Sequence, residues 1–342
     1  MSLDARISVD ERGVDAALTV PHGETLALLG PNGSGKSTVL AAIAGTLRPQ
    51  RGHARLDERT LHALDRDMPA QWRHPRERRI GLVTQRADLF PALPVIDNIA
   101  YGLRARGLSR GHAREEARSW LARADLLGLA DRRPTTLSAG QARRVAIVRA
   151  LAAQPDALML DEPFAGVDVE AAQQLRALVA EQTRSITTVI ATHEVLDAHL
   201  LASQVAVLAG GAVVEAGSTA TVLTRPRTEF AAAMAGRILL RGEAQDGALV
   251  TPDGARLPAN TSEVARGASA LVAISPLEVR IATAGQRADL TDTVRLLEPR
   301  GDLVRVTGAT LAADVAPHQA AGLAVGADVG WRVTAPPVAY AA

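Results

Sequence analysis

The stretch Thr25-Leu-Ala-Leu-Leu-Gly-Pro-Asn-Gly-Ser-Gly-Lys-Ser-Thr38 carries the strongest structural signal in the sequence. Its first five residues are a short apolar run of the kind a buried strand needs, and a glycine-rich turn follows. Ser37 to Ala44 then reads as a helix with Gly45 at its end. Strand, loop and helix in that order are the setting of a phosphate-binding loop. Gly30-Pro31-Asn32-Gly33-Ser34-Gly35-Lys36-Ser37 matches G-x-x-x-x-G-K-[ST] in full. The glycines let backbone N–H groups turn inward around phosphates, and the helix N-terminus, with Thr38 in its first turn, adds positive potential. Lys36 is placed for the β- and γ-phosphates of a nucleoside triphosphate and Ser37 for Mg²⁺, so the motif by itself says only NTPase. Of the 38 basic residues, Lys36 is the only lysine and all others are arginine. A compact ammonium beside phosphate oxygens cannot become a planar guanidinium without changing the site, which explains why the lysine stands there.

Ile80–Thr84, Ala157–Leu160 and Thr187–Ala191 are further short apolar runs that end against polar residues, as strands of a parallel sheet end at a site. Residues 86–150 are patterned as helices, broken by Pro91, Pro94 and Pro134, and read as a helical insert. The fold class is therefore α/β for residues 1–235. From Ala248 onward, valine- and threonine-rich segments broken by Gly or Pro predict a second, all-β domain of small strands over residues 236–342.

Composition narrows the function. A 47% hydrophobic, 22% charged chain of 342 residues is globular and large enough for two cores. The net charge of +1 gives no field for nucleic acid or an anionic membrane surface, and the absence of cysteine excludes disulfides and thiolate metal sites. No apolar run approaches the roughly 20 residues that cross a bilayer, and residues 1–20 lack a secretory pattern, so any membrane role is expected to be peripheral.

Two more motifs carry chemistry. The run Ala157–Leu160 ends in Asp161-Glu162, where Asp161 suits Mg²⁺ and Glu162 suits polarising the water that attacks a γ-phosphate. An Asp-Glu turn before a proline is common alone; beside a phosphate loop it reads as the catalytic pair. Leu137-Ser-Ala-Gly-Gln141 precedes a helix-like run from Ala142 to Ala152, with Ser138 able to donate to a phosphate and Gly140 permitting close backbone approach.

This last segment resembles the signature motif of ABC ATPases, usually LSGGQ, with Ala139 as a departure. Three further residues match the family's order: Gln85 resembles the Q-loop glutamine that senses Mg²⁺ and water, Asp168 the D-loop aspartate, and His193 the switch histidine on the γ-phosphate. The resemblance implies a P-loop ABC ATPase domain working as a homodimer, the signature of each copy closing over ATP and Mg²⁺ on the other. Members usually carry an aromatic upstream of the phosphate loop that stacks on adenine; residues 1–24 hold no Phe, Tyr or Trp, and Arg12 is the candidate in its place.

The segments Arg78–Gln85, Leu89–Pro91 and Asn98–Gly102 resemble the importer branch of the family, in which the surface after the glutamine receives a helix from integral membrane permease subunits. That implies a protein held at the cytoplasmic face of the cell membrane. Residues 236–342 resemble the OB-like regulatory β domain of importer ATPases, and residues 286–342 its small molybdate-binding module, with Leu311–Val315 and Ala327–Trp331 as strands, the latter its last. The resemblance implies molybdate as the solute, then sulfate or tungstate, iron, polyamine or sugar, and either an oxyanion sensor or a dimerisation scaffold in the β domain. The lysine common near the end of such modules is missing from Val333–Pro336. Soluble ABC ATPases of ribosomes or DNA carry paired cassettes or coiled-coil insertions, and this chain has neither.

Overall fold

The computed structural model describes residues 2–64, 69–283 and 286–342. They form two compact units, residues 1–219 and 220–342. The division falls ahead of the compositional change at residue 236, because the intervening segment is tied to the β unit. Arg225 makes a two-pronged pair with Glu263 at 2.6 and 3.0 Å, and the Pro226 carbonyl accepts from the Tyr340 hydroxyl.

The first unit opens with β1 (Leu3–Val9), β2 (Val14–Val20) and β3 (Thr25–Leu29), then helix α1 (Lys36–Ala44). Next come β4 (Arg51–Leu56), β5 (Arg59–Leu64), β6 (Gln71–Trp72), α2 (Pro75–Arg78) and β7 (Ile80–Val83). Helices α3 (Val95–Ala105), α4 (Arg110–Arg123) and α5 (Ala139–Ala152) make the insert. The unit closes with β8 (Ala157–Asp161), α6 (Val169–Gln182), β9 (Thr187–Thr192), α7 (Val195–Leu201), β10 (Gln204–Ala209) and β11 (Ala212–Ser218).

One sheet runs β11-β10-β3-β9-β8-β7, parallel except for the β10–β11 hairpin, and an antiparallel sheet runs β2-β1-β4-β5-β6. All five residues of β3 and of β8 are buried, which is why these strands read as unbroken apolar runs. Side-chain alternation divides β8 between two cores: Ala157 and Met159 belong to the one that holds Ile7, Val39 and Leu40, while Leu158 and Leu160 belong to the one that holds Ile99, Trp120 and Ile147 of the insert.

Helix α1 is fixed at its far end. Buried Arg78 donates to the carbonyls of Ala42 at 3.0 Å and Ile43 at 2.7 Å, and its guanidinium lies 4.3 Å from the centre of the Trp72 ring. A cation at a helix C-terminus meets carbonyls that lack partners within the helix. Burial, and then nearby Arg73, push the Arg78 pKa down to about 10, so it stays charged at neutral pH.

The second unit is predominantly β, with a five-stranded sheet and two three-stranded sheets. Its strands include Ala248–Val250, Ser269–Ile274, Leu303–Thr307, Ala312–Val315 and Asp328–Val333, matching the valine-rich segments of the sequence. The last strand is not the segment ending at Trp331, as expected, but Ala339–Ala341, which pairs with Ser269–Ile274. Burial of Ala339 and Tyr340 explains the extra strand. Among the described residues, no helix is long and apolar enough to cross a membrane.

Candidate functional site

The phosphate loop connects β3 to α1. Its tightness depends on glycine: a Cβ on Gly30 would come 2.3 Å from the Leu208 carbonyl oxygen, and Gly35, at φ +105, would strike Val14. Helix α1 starts one residue earlier than the sequence predicts, at Lys36. Lys36 is buried and folds back so that Nζ donates to the carbonyls of Gly30 at 2.7 Å and Pro31 at 3.0 Å. Burial lowers its pKa, and the charges of Glu162 and Asp161 oppose that shift.

Strands β7, β8 and β9 end on the same side, and their following residues converge on the loop. A cavity of about 610 Å³ is lined by Asn32, Gly33, Ser34, Gly35, Lys36, Ser37 and Thr38 together with Gln85, Asp161, Glu162 and His193. Four segments distant in sequence thus meet in one place. Arg12 also lines it, its Nη1 donating to Thr38 Oγ1 at 3.2 Å.

Asp161 is 6% exposed, and burial raises its pKa; a hydrogen bond from Ser37 opposes this and the charge of Glu162 adds to it. Glu162 has φ +48, a left-handed backbone that costs a residue with a side chain of order 1–3 kcal/mol. Its N–H donates to the Ala191 carbonyl at 2.8 Å, and its carboxylate meets His193 Nδ1 at 2.9 Å.

Ser138, Gly140 and Asp168 do not line this cavity. Ser138 caps α5 in a reciprocal pair with Gln141, at 3.2 and 3.1 Å, and Asp168 caps α6 by accepting from the Ala171 N–H at 2.9 Å. Helix α5 starts at Ala139 rather than Ala142, and Ala139 has no positive φ, so alanine fits there without strain.

The sequence reading missed Arg143. Its buried guanidinium donates from Nη1 to the carbonyls of Glu162 at 3.0 Å, Asp161 at 3.3 Å and Thr84 at 3.4 Å, and from Nη2 to that of Gln85. The available signal was an arginine one and two helical turns before buried Ile147 and Leu151, a charge on an apolar face.

A second cavity of about 670 Å³ lies where α2, β7, α3 and α5 meet, lined by Arg76, Arg79, Phe90, Tyr101, Arg106 and Arg149 among others. The Phe90 and Tyr101 rings lie 4.7 Å apart. Buried Asn98 holds the loop before α3, accepting from the Phe90 N–H at 2.8 Å and donating to the carbonyls of Phe90, Leu93 and Pro94.

The family described as "ABC transporter" matches residues 14–165. The molybdenum import ATP-binding protein ModC of Mycobacterium tuberculosis is 44% identical over 260 residues, covering 74% of this chain and 70% of ModC. The sulfate/thiosulfate import ATP-binding protein CysA of Methylococcus capsulatus is 36% identical over 306 residues, covering 86% and 82%. Among solved structures, the dimeric post-hydrolysis state of the ATP-binding cassette MJ0796 bound to ADP and Pi aligns at a TM-score of 0.57 and 28% identity, covering 64% of this chain and 99% of that one. At such identity over so much of both sequences, this chain belongs to the ABC transporter family, among its import ATP-binding proteins.

Proposed function

We propose that this ABC import ATPase drives molybdate uptake through a separate membrane permease, with Glu162 activating the water that cleaves ATP. One observation carries the catalytic assignment: Glu162, in contact with His193 at 2.9 Å, lines the same cavity as Lys36. Lys36 exchanges its loop carbonyls for the β- and γ-phosphates, and the N–H groups of the loop and the first turn of α1 surround them. Glu162 takes the proton of the attacking water, and His193 holds the carboxylate and reaches the γ-phosphate. The donors fit Mg²⁺: the Ser37 hydroxyl is hydrogen-bonded to the Asp161 carboxylate, both hard oxygen ligands, and Gln85 lines the same cavity. When bound there, Mg²⁺ neutralises charge on the phosphates.

Ser138, Gly140 and Asp168 lie outside the cavity of their own chain, which supports a homodimer in which each copy supplies them to the other's ATP. The dimeric cassette among the structural relatives supports it too. The arginine-rimmed cavity beside Phe90 and Tyr101 is the surface we assign to the permease, and through it the chain sits peripherally on the cytoplasmic face of the membrane.

Identity to ModC supports molybdate. Sulfate is the second reading, because the CysA match extends over 86% of the chain. Uptake of both oxyanions in cells lacking this chain, and in cells given back the wild type or Glu162→Gln, tests the proposal. Molybdate uptake that is lost and then restored only by the wild type supports it. Loss confined to sulfate moves the assignment to sulfate, and unchanged uptake of both removes the oxyanions.

A further inference from the structure

We infer that Arg143 is a positioning residue for hydrolysis, which makes the aim of Glu162 depend on where the signature helix α5 sits. The inference rests on the role proposed for Glu162.

Strands β7 and β8 are parallel neighbours whose shared ladder ends at the pair Val83–Leu160; β7 stops there, while β8 runs one residue further, to Asp161, paired with Ala191 of β9. Carbonyls just past a sheet's end have lost their ladder partners and need donors from elsewhere. Here the carbonyls of Thr84, Gln85, Asp161 and Glu162 turn to a single guanidinium. Arginine suits the task, since its five N–H groups are fixed in a planar fork.

The second observation is backbone conformation. Glu162 holds a left-handed φ that a residue with a side chain adopts only when its surroundings impose it. The Glu162 N–H is fixed by Ala191 and its carbonyl by Arg143, so the backbone is held on both sides of its Cα, and the carboxylate is turned toward His193. Removing the guanidinium frees one side of this grip.

The third is where Arg143 comes from. It stands five residues after the Ser138 cap, on the helix whose first turn carries Gly140. A rigid helix carries the guanidinium with it, so any displacement of α5 pulls on the backbone of Gln85 and Glu162 together. The residues that would close on a partner's ATP and the residue that would cleave the chain's own ATP are then linked by one side chain.

Arg143→Gln and Arg143→Lys are the test, with Glu162→Gln as the control. Turnover is normalised to bound nucleotide and set beside the ATP dissociation constant and the melting temperature. Misaiming a catalytic group by about 1 Å can cost on the order of 100-fold, so Arg143→Gln is expected to lower kcat by roughly 10- to 100-fold. The ATP dissociation constant should stay within about threefold, the mark of a group that acts only in the transition state. Arg143→Lys keeps the buried charge but cannot span four carbonyls, so it should recover little. Arg143→Gln with wild-type kcat and only a lower melting temperature would overturn the inference and leave a purely structural residue. Full recovery in Arg143→Lys would overturn it as well, charge alone then being sufficient. If Arg143→Gln does not fold, the same comparison of kcat and binding in Arg143→Lys decides. Wild-type turnover in Glu162→Gln would instead sink the assignment of Glu162, independently of Arg143.

Discussion

Burial pushes Asp161 and Asp292, one in each unit, in the same direction, yet their pKa values end on opposite sides of the usual aspartate range. Asp161 ends β8, where burial drives its pKa up; the Ser37 hydrogen bond and the charges of Lys36 and Arg143 only partly offset that, and Glu162 pushes the same way as burial. Burial pulls on Asp292 in the same sense, but backbone N–H groups of Thr310, Ala309 and Thr293 and the Trp331 indole outweigh it, leaving the carboxyl below the usual aspartate range. Its Oδ2 accepts from the Thr310 N–H at 2.8 Å and the Trp331 indole at 3.2 Å. A Cβ on Gly308 would come within 2.3 Å of the same oxygen, so the fit requires glycine. A half-buried carboxylate that its own chain satisfies, like Asp292, is part of the fold, whereas a buried one whose burial is not offset, like Asp161, suits a cation. The backbone N–H groups of Thr293 and Thr310 in the β unit are thus engaged by Asp292 rather than open to an external oxyanion.

Replacing each aspartate should separate function from stability. Asp161→Asn should lower Mg²⁺-dependent turnover by roughly 100- to 1,000-fold, the scale for removing one group that stabilises charge in a transition state. Its melting temperature without nucleotide should not fall, because a buried carboxylate with raised pKa is lost, and Mg²⁺–ATP should no longer raise it. A variant that melts well below the wild type would place Asp161 with the structural residues. Asp292→Ala should do the reverse, costing the β unit about 1–3 kcal/mol in denaturant unfolding through orphaned N–H groups, while ATP turnover per bound nucleotide stays at the wild-type value. Lost turnover would show the two sites to be coupled.

The smallest effect is one of pH. Asp292 has a folded pKa below its unfolded value of about 3.9, so its contribution to stability is complete above that pH. The contribution disappears as pH falls through the lower folded value. Acid unfolding of the wild type should therefore be steeper below about pH 4 than that of Asp292→Asn, and equal slopes would mean that the carboxylate is not held as described.

Much of the motor unit was legible in the sequence because the central strands of its parallel sheet, β3, β8 and β9, are buried on both faces. Thr25–Leu29 and Ala157–Leu160 read as unbroken apolar runs, and the Gly30–Ser37 loop has a spacing that little but phosphate binding explains. Gln85 and His193 could be paired with that loop only through the family's order, since nothing local marks a glutamine or histidine at a strand end. Arg143 escaped because its partners are backbone carbonyls, which leave no complementary residue in the sequence to recognise. The strand Ala339–Ala341 escaped for a related reason: three residues are too short for periodicity, and their place is set by pairing with a strand about 70 positions earlier. Asp292 was equally silent, because the donors that hold it are mostly backbone N–H groups of Thr293, Ala309 and Thr310.

The role proposed for Glu162 is to drive hydrolysis of ATP held between two copies of the chain. The direct measurement is ATP turnover and oligomeric state of Glu162→Gln with Mg²⁺–ATP, against the wild type. Turnover reduced at least about 100-fold, with ATP still bound and an ATP-dependent dimer that persists, is the predicted result. Turnover at the wild-type rate, or loss of ATP binding along with turnover, would contradict it.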